Sequence, residues 1–320
     1  MQGTALRYFL EVVRTGSVSE ASSRLNVAAS AVSRQIAKLE RDLGSRLFER
    51  RPRGMVLSEA GRLLATYARR MTLEGERVVG RIRELEGLAR GEVRIATTEG
   101  FALDMMPEAI VAFRRRYEGI RFDLAVVPFT AVTRLVQNGD VDIGVTFGLA
   151  PSPDVKVQRA WPAPILAVMT PDHPLAGRES LTLQDLRDHP ITLSEANTTL
   201  RQLVDMACAD EGVALEPVLI TNFVSAQRRF VETKGGVLVA SPLSMVSGLV
   251  SGRLVARPVR SSLLHRRRFE IQTMLDRTLP TAAEAFVSFL SEHIDNDLAE
   301  LSQVLGFLVY LAHTEAEAEI

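Results

Sequence analysis

One stretch restricts the fold of this chain more than any other. Ser58 has the chemistry of a helix N-cap, and the helix it opens extends to about Ala89. Along it Leu64, Ala68, Met71, Gly75, Val78, Ile82, Leu85 and Ala89 recur at alternating intervals of four and three residues. Every member of that seam is apolar, while Arg62, Arg69, Glu76, Arg77 and Arg83 lie elsewhere on the helix. A helix buried in its own domain would show a wider apolar face. The narrow seam therefore predicts pairing with a second copy, through Leu64, Met71, Val78, Ile82 and Leu85. Small residues between the large ones would let the two helices approach closely.

This helix separates two parts of opposite charge. Residues 1–90 hold 17 Lys+Arg and 10 Asp+Glu, a net of +7; the remaining 21 and 29 leave −8 on residues 91–320. A basic part beside an acidic one suggests that the first meets a polyanion. Upstream, Leu6, Phe9, Leu10 and Val13 form one helical stripe that Gly16 stops. Ser17 and Glu20 read as a capping box for a second helix that buries Val18, Ala21 and Leu25. A tight turn over Asn26–Ala29 leads to a third helix, with Val32, Ile36, Leu39 and Leu43 facing inward. Its outer face carries Ser30, Ser33, Arg34, Gln35 and Lys38, the donors a recognition helix needs in a major groove. An ordinary three-helix bundle with a solvated face would read the same way to this point. The next segment separates the two. Leu47–Glu49 and Met55–Leu57 read as short strands around a turn bearing Arg50, Arg51 and Arg53, a basic wing suited to phosphates.

The run VSRQIAKLERDLGSRLFERRPRGMVLSEAG, Val32 to Gly61, resembles the signature of LysR-type transcriptional regulators. Phe9, Gly16, Ser17, Ala21 and Leu25 also fall where that family has them. The resemblance implies an α winged helix-turn-helix domain over 1–58 and a linker helix that dimerises over 59–90. It then implies an α/β effector domain of the periplasmic-binding-protein type over 91–296. In one respect the chain departs from the family. Relatives open the recognition helix with Ser or Thr followed by Gln, whereas this chain has Ala28, Ala29 and Ser30. Both the capping hydroxyl and a base-reading amide are missing there, which shifts the expected readers to Ser30, Ser33 and Arg34.

Beyond Gly91 the pattern becomes strand, helix, strand: Val93–Ala96, Phe122–Val127 and Val141–Val145, then Ile165–Met169, Pro217–Ile220 and Val237–Ala240. That alternation predicts parallel sheets with right-handed crossovers. A final helix is expected over Ala282–His293, and residues 297–320 form a tail whose leucines suit an amphipathic helix. Two lobes are expected, 91–162 with 269–296, and 163–268, with the ligand between them beyond the strand ends. Thr97 and Thr98, and Asn197, Thr198 and Thr199, stand at helix starts, where outward N–H groups favour an anion such as a carboxylate. Plain N-caps would use the same residues. The resemblance adds Gly100, Phe129, Thr146, Phe147 and Phe223 to the effector site, giving the pocket an apolar wall.

Other classes fit the sequence less well. The histidines, His173, His189, His265, His293 and His313, are scattered without metal-like spacing, and no Gly-rich phosphate loop or nucleophile–base pair stands out. Neither catalysis, a metal nor a cofactor is expected. Cys208 is a lone thiol, which fits a reducing compartment. A transport solute-binding protein would need a signal peptide, and no basic segment followed by a long apolar run opens the chain. The expectation is a cytoplasmic, membrane-free homodimer or homotetramer. Its partners would be operator DNA, a small effector and, by resemblance, RNA polymerase.

Overall fold

A computed structural model describes residues 3–51, 54–85, 91–149, 152 and 155–306. Side chains of residues 50, 51, 76, 80, 81 and 83–85 lie outside that description, as does all of Arg53. The described residues divide into two compact units, the first within Met1–Leu88 plus Asp276–Pro280 and the second within Ala89–Leu275 plus Thr281–Ile320.

The first unit opens with α1 (Thr4–Thr15), α2 (Val18–Leu25) and α3 (Ala29–Leu43). A hairpin of β1 (Phe48–Arg51) and β2 (Gly54–Leu57) leads into α4 (Glu59–Leu85). Phe9, Val12, Ala21, Val32, Ile36 and Leu47 meet in one buried cluster. The Phe9 and Phe48 rings lie 5.3 Å apart, tying the wing to α1. Gly54 fixes the wing's return: its φ is +120°, and a Cβ there would lie 2.7 Å from the Gly16 carbonyl oxygen. That same oxygen accepts the Met55 N–H at 2.9 Å. Ser58 caps α4, its hydroxyl accepting the Gly61 N–H at 3.0 Å.

Three expectations for this unit change. Leu43 is half exposed, because α3 ends at Gly44 beyond the reach of the cluster. The capping box is half formed: Ser17 accepts the Glu20 N–H, while the Glu20 carboxylate pairs with Arg24. The hairpin strands run longer than expected and carry the Arg50 and Arg51 backbones into the ladder, with Arg51 opposite Gly54.

The second unit holds two five-stranded sheets. The first has the order β4 (Ile120–Val126), β3 (Gly91–Thr97), β5 (Ile143–Gly148), β12 (Arg268–Met274), β6 (Val155–Pro162). The second has the order β11 (Val255–Pro258), β7 (Leu166–Met169), β10 (Val237–Ala240), β8 (Ile191–Leu193), β9 (Leu219–Ile220). Helices α5 (Glu99–Ala102), α6 (Met105–Arg114), α7 (Phe129–Asn138) and α12 (Thr281–Leu305) belong with the first sheet. Helices α8 (Leu183–Arg187), α9 (Thr199–Glu211), α10 (Val224–Glu232) and α11 (Val246–Val250) come from the segments that build the second.

Both sheets are mixed, which corrects the parallel expectation. β3 runs parallel to β4 and β5, and β8 parallel to β9 and β10. However, β12 is antiparallel to β5 and β6, and β7 is antiparallel to β10 and β11. The reason is the double crossover. The chain leaves the first sheet after β6 and returns as β12, and the two crossing segments bond to each other. Ala163 donates to the Arg267 carbonyl and Ile165 to the Leu264 carbonyl, both at 2.9 Å. The final helix also runs on to Leu305, well past His293, and buries Leu301 within its own unit. The first residues of the expected tail therefore continue that helix, and 307–320 lie outside the described residues.

Candidate functional site

Two places gather the residues singled out in the sequence. The first is the face of α3. Its N-cap is Ala28, in extended conformation and with no side-chain cap bond, so the first N–H groups of α3 have no side-chain acceptor. Ser30, Ser33, Arg34 and Lys38 are exposed on this helix and Gln35 is half-buried. Among the described residues neither Arg34 nor Lys38 pairs with a carboxylate, so both charges are available to phosphate. The side chains of Arg50, Arg51 and Arg53, expected on the wing, lie outside the described residues.

Helix α4 divides its apolar residues between two directions. Leu64 is partly buried against the α1–α3 cluster, and Ala68 is fully buried. Leu64 therefore belongs to its own domain and is removed from the predicted seam. Met71, Val78 and Ile82 are 46%, 45% and 52% exposed, and Leu63, Tyr67 and Val79 are exposed with them. The Leu85 side chain lies outside the described residues.

The second place is the cleft between the two sheets. A cavity of about 350 Å³ is lined by Phe129, Thr133 and Arg134 of α7, by Phe147 at the end of β5, by Gln272 of β12 and by Thr199 opening α9. Both halves of the second unit thus contribute. Thr133 donates to Gln272 at 2.9 Å, and Gln272 donates in turn to the buried Glu270 at 2.9 Å. Thr199 is buried and its hydroxyl has no partner among the described residues.

Other predicted residues fall elsewhere. Thr97 is fully buried and spends its hydroxyl on the Val145 carbonyl at 3.0 Å, tying β3 to β5. Thr98 sits at the start of α5 and makes no cap bond, leaving a buried hydroxyl without a partner among the described residues. Thr198 is an ordinary cap: it accepts the Arg201 N–H at 3.2 Å and donates to the Glu195 carbonyl at 2.9 Å. That occupation corrects its expected role as an anion donor. Asn197 is exposed, and Phe223 is 60% exposed; neither lines the cavity. Thr146 is buried with a partnerless hydroxyl, also outside the lining. Gly100 is outside the lining as well and packs against Ser244, where a Cβ on it would lie 2.8 Å from the Ser244 Cβ.

The lobes are held by carboxylates that sequence reasoning missed. Glu99 accepts the Val224 N–H at 2.7 Å, the Ser225 N–H at 3.3 Å and the Ser225 hydroxyl at 2.6 Å, capping α10 from the other lobe. Arg228 donates to Asp104 at 2.8 Å and to the Ser247 hydroxyl at 3.0 Å, and Ser247 donates to Asp104 at 2.6 Å. The signal for Glu99 was its place beside Thr98 at a strand end, where a carboxylate can reach a neighbouring helix N-terminus. Asp104 and Arg228 lie 124 residues apart, and no local pattern links them.

Arg267 was missed as well. It is buried beside the crossover, and its guanidinium carbon lies 3.5 Å from the centre of the Phe147 ring. The apolar wall expected at Phe147 thus carries a cation on one face. Burial lowers this arginine to about 9, so it remains charged at neutral pH.

A basic winged helix-turn-helix joined to a two-lobed α/β domain with a ligand-sized cleft defines a ligand-responsive DNA-binding regulator. Residues 4–62 match the family described as bacterial regulatory helix-turn-helix protein, lysR family, and residues 86–295 match the LysR substrate binding domain. The chain belongs to the LysR family of transcriptional regulators. It is 28% identical over 289 residues to the RuBisCO operon transcriptional regulator of Allochromatium vinosum, covering 89% of this chain and 94% of that one. It is 32% identical over 218 residues to the transcriptional dual regulator GltC of Bacillus subtilis, covering 67% and 72%. Among solved structures, full-length OxyR from Pseudomonas aeruginosa shares the fold with a TM-score of 0.62 at 20% identity, covering 92% of this chain and 94% of that one. No helix among the described residues is long and apolar enough to cross a membrane.

Proposed function

We propose that this regulator works as a homo-oligomer in the cytoplasm, reading operator DNA with α3 and the wing under the control of a carboxylate-bearing effector in the cleft. The proposed DNA contacts are Ser30, Ser33, Arg34, Gln35, Lys38, Arg50, Arg51 and Arg53. The proposed homo-oligomer seam is Met71, Val78, Ile82 and Leu85. We draw the domains at 1–58, 59–90 and 91–296, and assign the protein no catalysis. RNA polymerase is a partner suggested by family membership alone.

The observation that carries the effector reading is the cavity of about 350 Å³ whose wall takes Phe129 and Thr133 from one lobe and Thr199 from the other. A ligand touching both lobes binds one relative setting of them better than another. By linkage it shifts the population toward that setting. Glu99 and Asp104 are the contacts such a shift would remake.

The test is a titration of duplex DNA from beside the chain's own gene, at several salt concentrations and with a panel of metabolites. Affinity should fall log-linearly with salt, by about 0.9 units of slope per phosphate contact. At least one small carboxylate should change it, and Thr133→Phe, which fills the cavity, should abolish that change. Salt-independent binding would remove the DNA reading. An unaltered metabolite response in Thr133→Phe would remove the pocket.

A further inference from the structure

Arg267 stands in the run His265-Arg266-Arg267-Arg268, which has the look of a solvated basic patch. Arg266 closes the short helical turn Ser262–His265 and Arg268 opens β12; both are exposed, while Arg267 between them is 7% exposed. No carboxylate faces it, and its side chain makes no hydrogen bond among the described residues; the Nε donor is buried without a partner. A guanidinium keeps its proton in proteins, so this is a buried positive charge lacking a counter-charge. The Phe147 ring face offsets part of that cost. The backbone cannot swing the group away, because the Arg267 carbonyl holds the Ala163 N–H across the crossover.

The surroundings are short of acceptors in a consistent way. Phe147, under the guanidinium, lines the cavity that also meets Thr199. Phe147 packs on Phe101 with ring centres 4.7 Å apart, and Phe101 belongs to α5, which follows Thr98. Thr98 and Thr199 both carry buried hydroxyls with no partner. Of these groups Thr199 and Phe147 line the cavity, while Arg267 stacks on Phe147 and lies, like Thr98, outside the lining. A cation with five donors calls for an acceptor-only group with several lone pairs. A carboxylate is such a group, and it matches a guanidinium fork in a plane.

We infer that Arg267 is the counter-charge for the effector, a monocarboxylate whose anionic end meets the Arg267 guanidinium beside Phe147 while its apolar body lies along Phe129. This rests on the reading of the cleft as the effector site, and it moves the anion from the helix starts to a side chain. One buried cation suits one negative charge, which separates a carboxylate from a dianion such as sulfate. Because Arg267 sits where the chain crosses between sheets, the same contact would link ligand occupancy to the lobe setting.

The experiment is thermal unfolding of the full chain at fixed ionic strength, with phenylacetate or sulfate replacing chloride, or with the neutral phenylacetamide added to the chloride buffer. Phenylacetate should raise the midpoint of the parent, and sulfate and phenylacetamide should not. Arg267→Met keeps volume and removes charge. It should unfold no lower than the parent in chloride, and its affinity for phenylacetate should fall about ten- to a hundredfold. Arg267→Lys should retain part of the response. An Arg267→Met protein that unfolds well below the parent would make the guanidinium structural and overturn the inference. So would equal phenylacetate responses in parent and variant, a larger response to sulfate, or no response to any probe. A metabolite that alters operator affinity equally in parent and Arg267→Met would sink this role for Arg267 alone and leave the cleft reading intact.

Discussion

Replacing Gly100 by alanine tests whether the lobe contact is as tight as the geometry indicates. The new Cβ would lie 2.8 Å from the Ser244 Cβ and 3.6 Å from its Oγ. Non-bonded carbons settle at about 3.5–4.0 Å, so the two surfaces must part by about 1 Å. Neither side yields by turning a side chain. Gly100 is held in a buried turn, and Ser244 is 7% exposed with its hydroxyl on the Ser241 carbonyl at 2.7 Å. The Glu99 bond to Val224 at 2.7 Å starts one residue away, so the displacement would stretch it too. Overpacking of this kind costs about 1–3 kcal/mol. In a domain of this size each kcal/mol lowers the unfolding midpoint by about 2–4 °C. Ser244→Gly removes the opposing Cβ, so Gly100→Ala with Ser244→Gly should recover most of the loss. Thermal unfolding of the two single variants and the double variant gives the coupling directly, and about 1 kcal/mol or more is expected. If the double variant loses the simple sum of the two, Gly100 and Ser244 do not meet in solution and the closed lobe setting is wrong.

Three other perturbations address the DNA-reading unit. Arg34→Ala should weaken operator binding and reduce the log–log salt slope by about one contact; an unchanged slope would take Arg34 off the phosphate backbone. Val78 is 45% exposed in the single chain, so Val78→Asp should leave the monomer folded, yet bury charge unpaired in an oligomer and yield monomers by sedimentation. A Val78→Asp protein that stays oligomeric would exclude this face of α4. Ala28 already has the extended N-cap conformation, φ −67° and ψ 140° being suited to a capping hydroxyl, so Ala28→Ser should stabilise the first unit by about 0.5–2 kcal/mol in chemical denaturation.

The first unit was legible because its signals are local. The Phe9 stripe, the glycine stop at Gly16 and the Ser58 cap act within one or two helical turns, and each is found where the spacing places it. Periodicity failed where it was asked which body covers a face. The α4 seam is apolar throughout, yet Leu64 packs against the chain's own cluster and Ala68 is fully buried, while Met71, Val78 and Ile82 remain exposed. A heptad records that a face is apolar and does not record against what.

The cleft was harder to read because its chemistry lies in strands whose letters look like surface. β12 reads Arg-Phe-Glu-Ile-Gln-Thr-Met, and all but its first residue are buried. Its polar members survive inside the sheet because partners far along the chain satisfy them: Thr133 with Gln272 across 139 residues, and Gln158 with Thr273 across 115. A buried polar group costs most when unpaired, so pairing in three dimensions decides whether such a residue can lie in a core. Arg267 marks the opposite case. It shares the burial of that strand and lacks the partner, and a cost left standing against a ring that lines a cavity is a stronger pointer to function than any pattern of neighbouring residues.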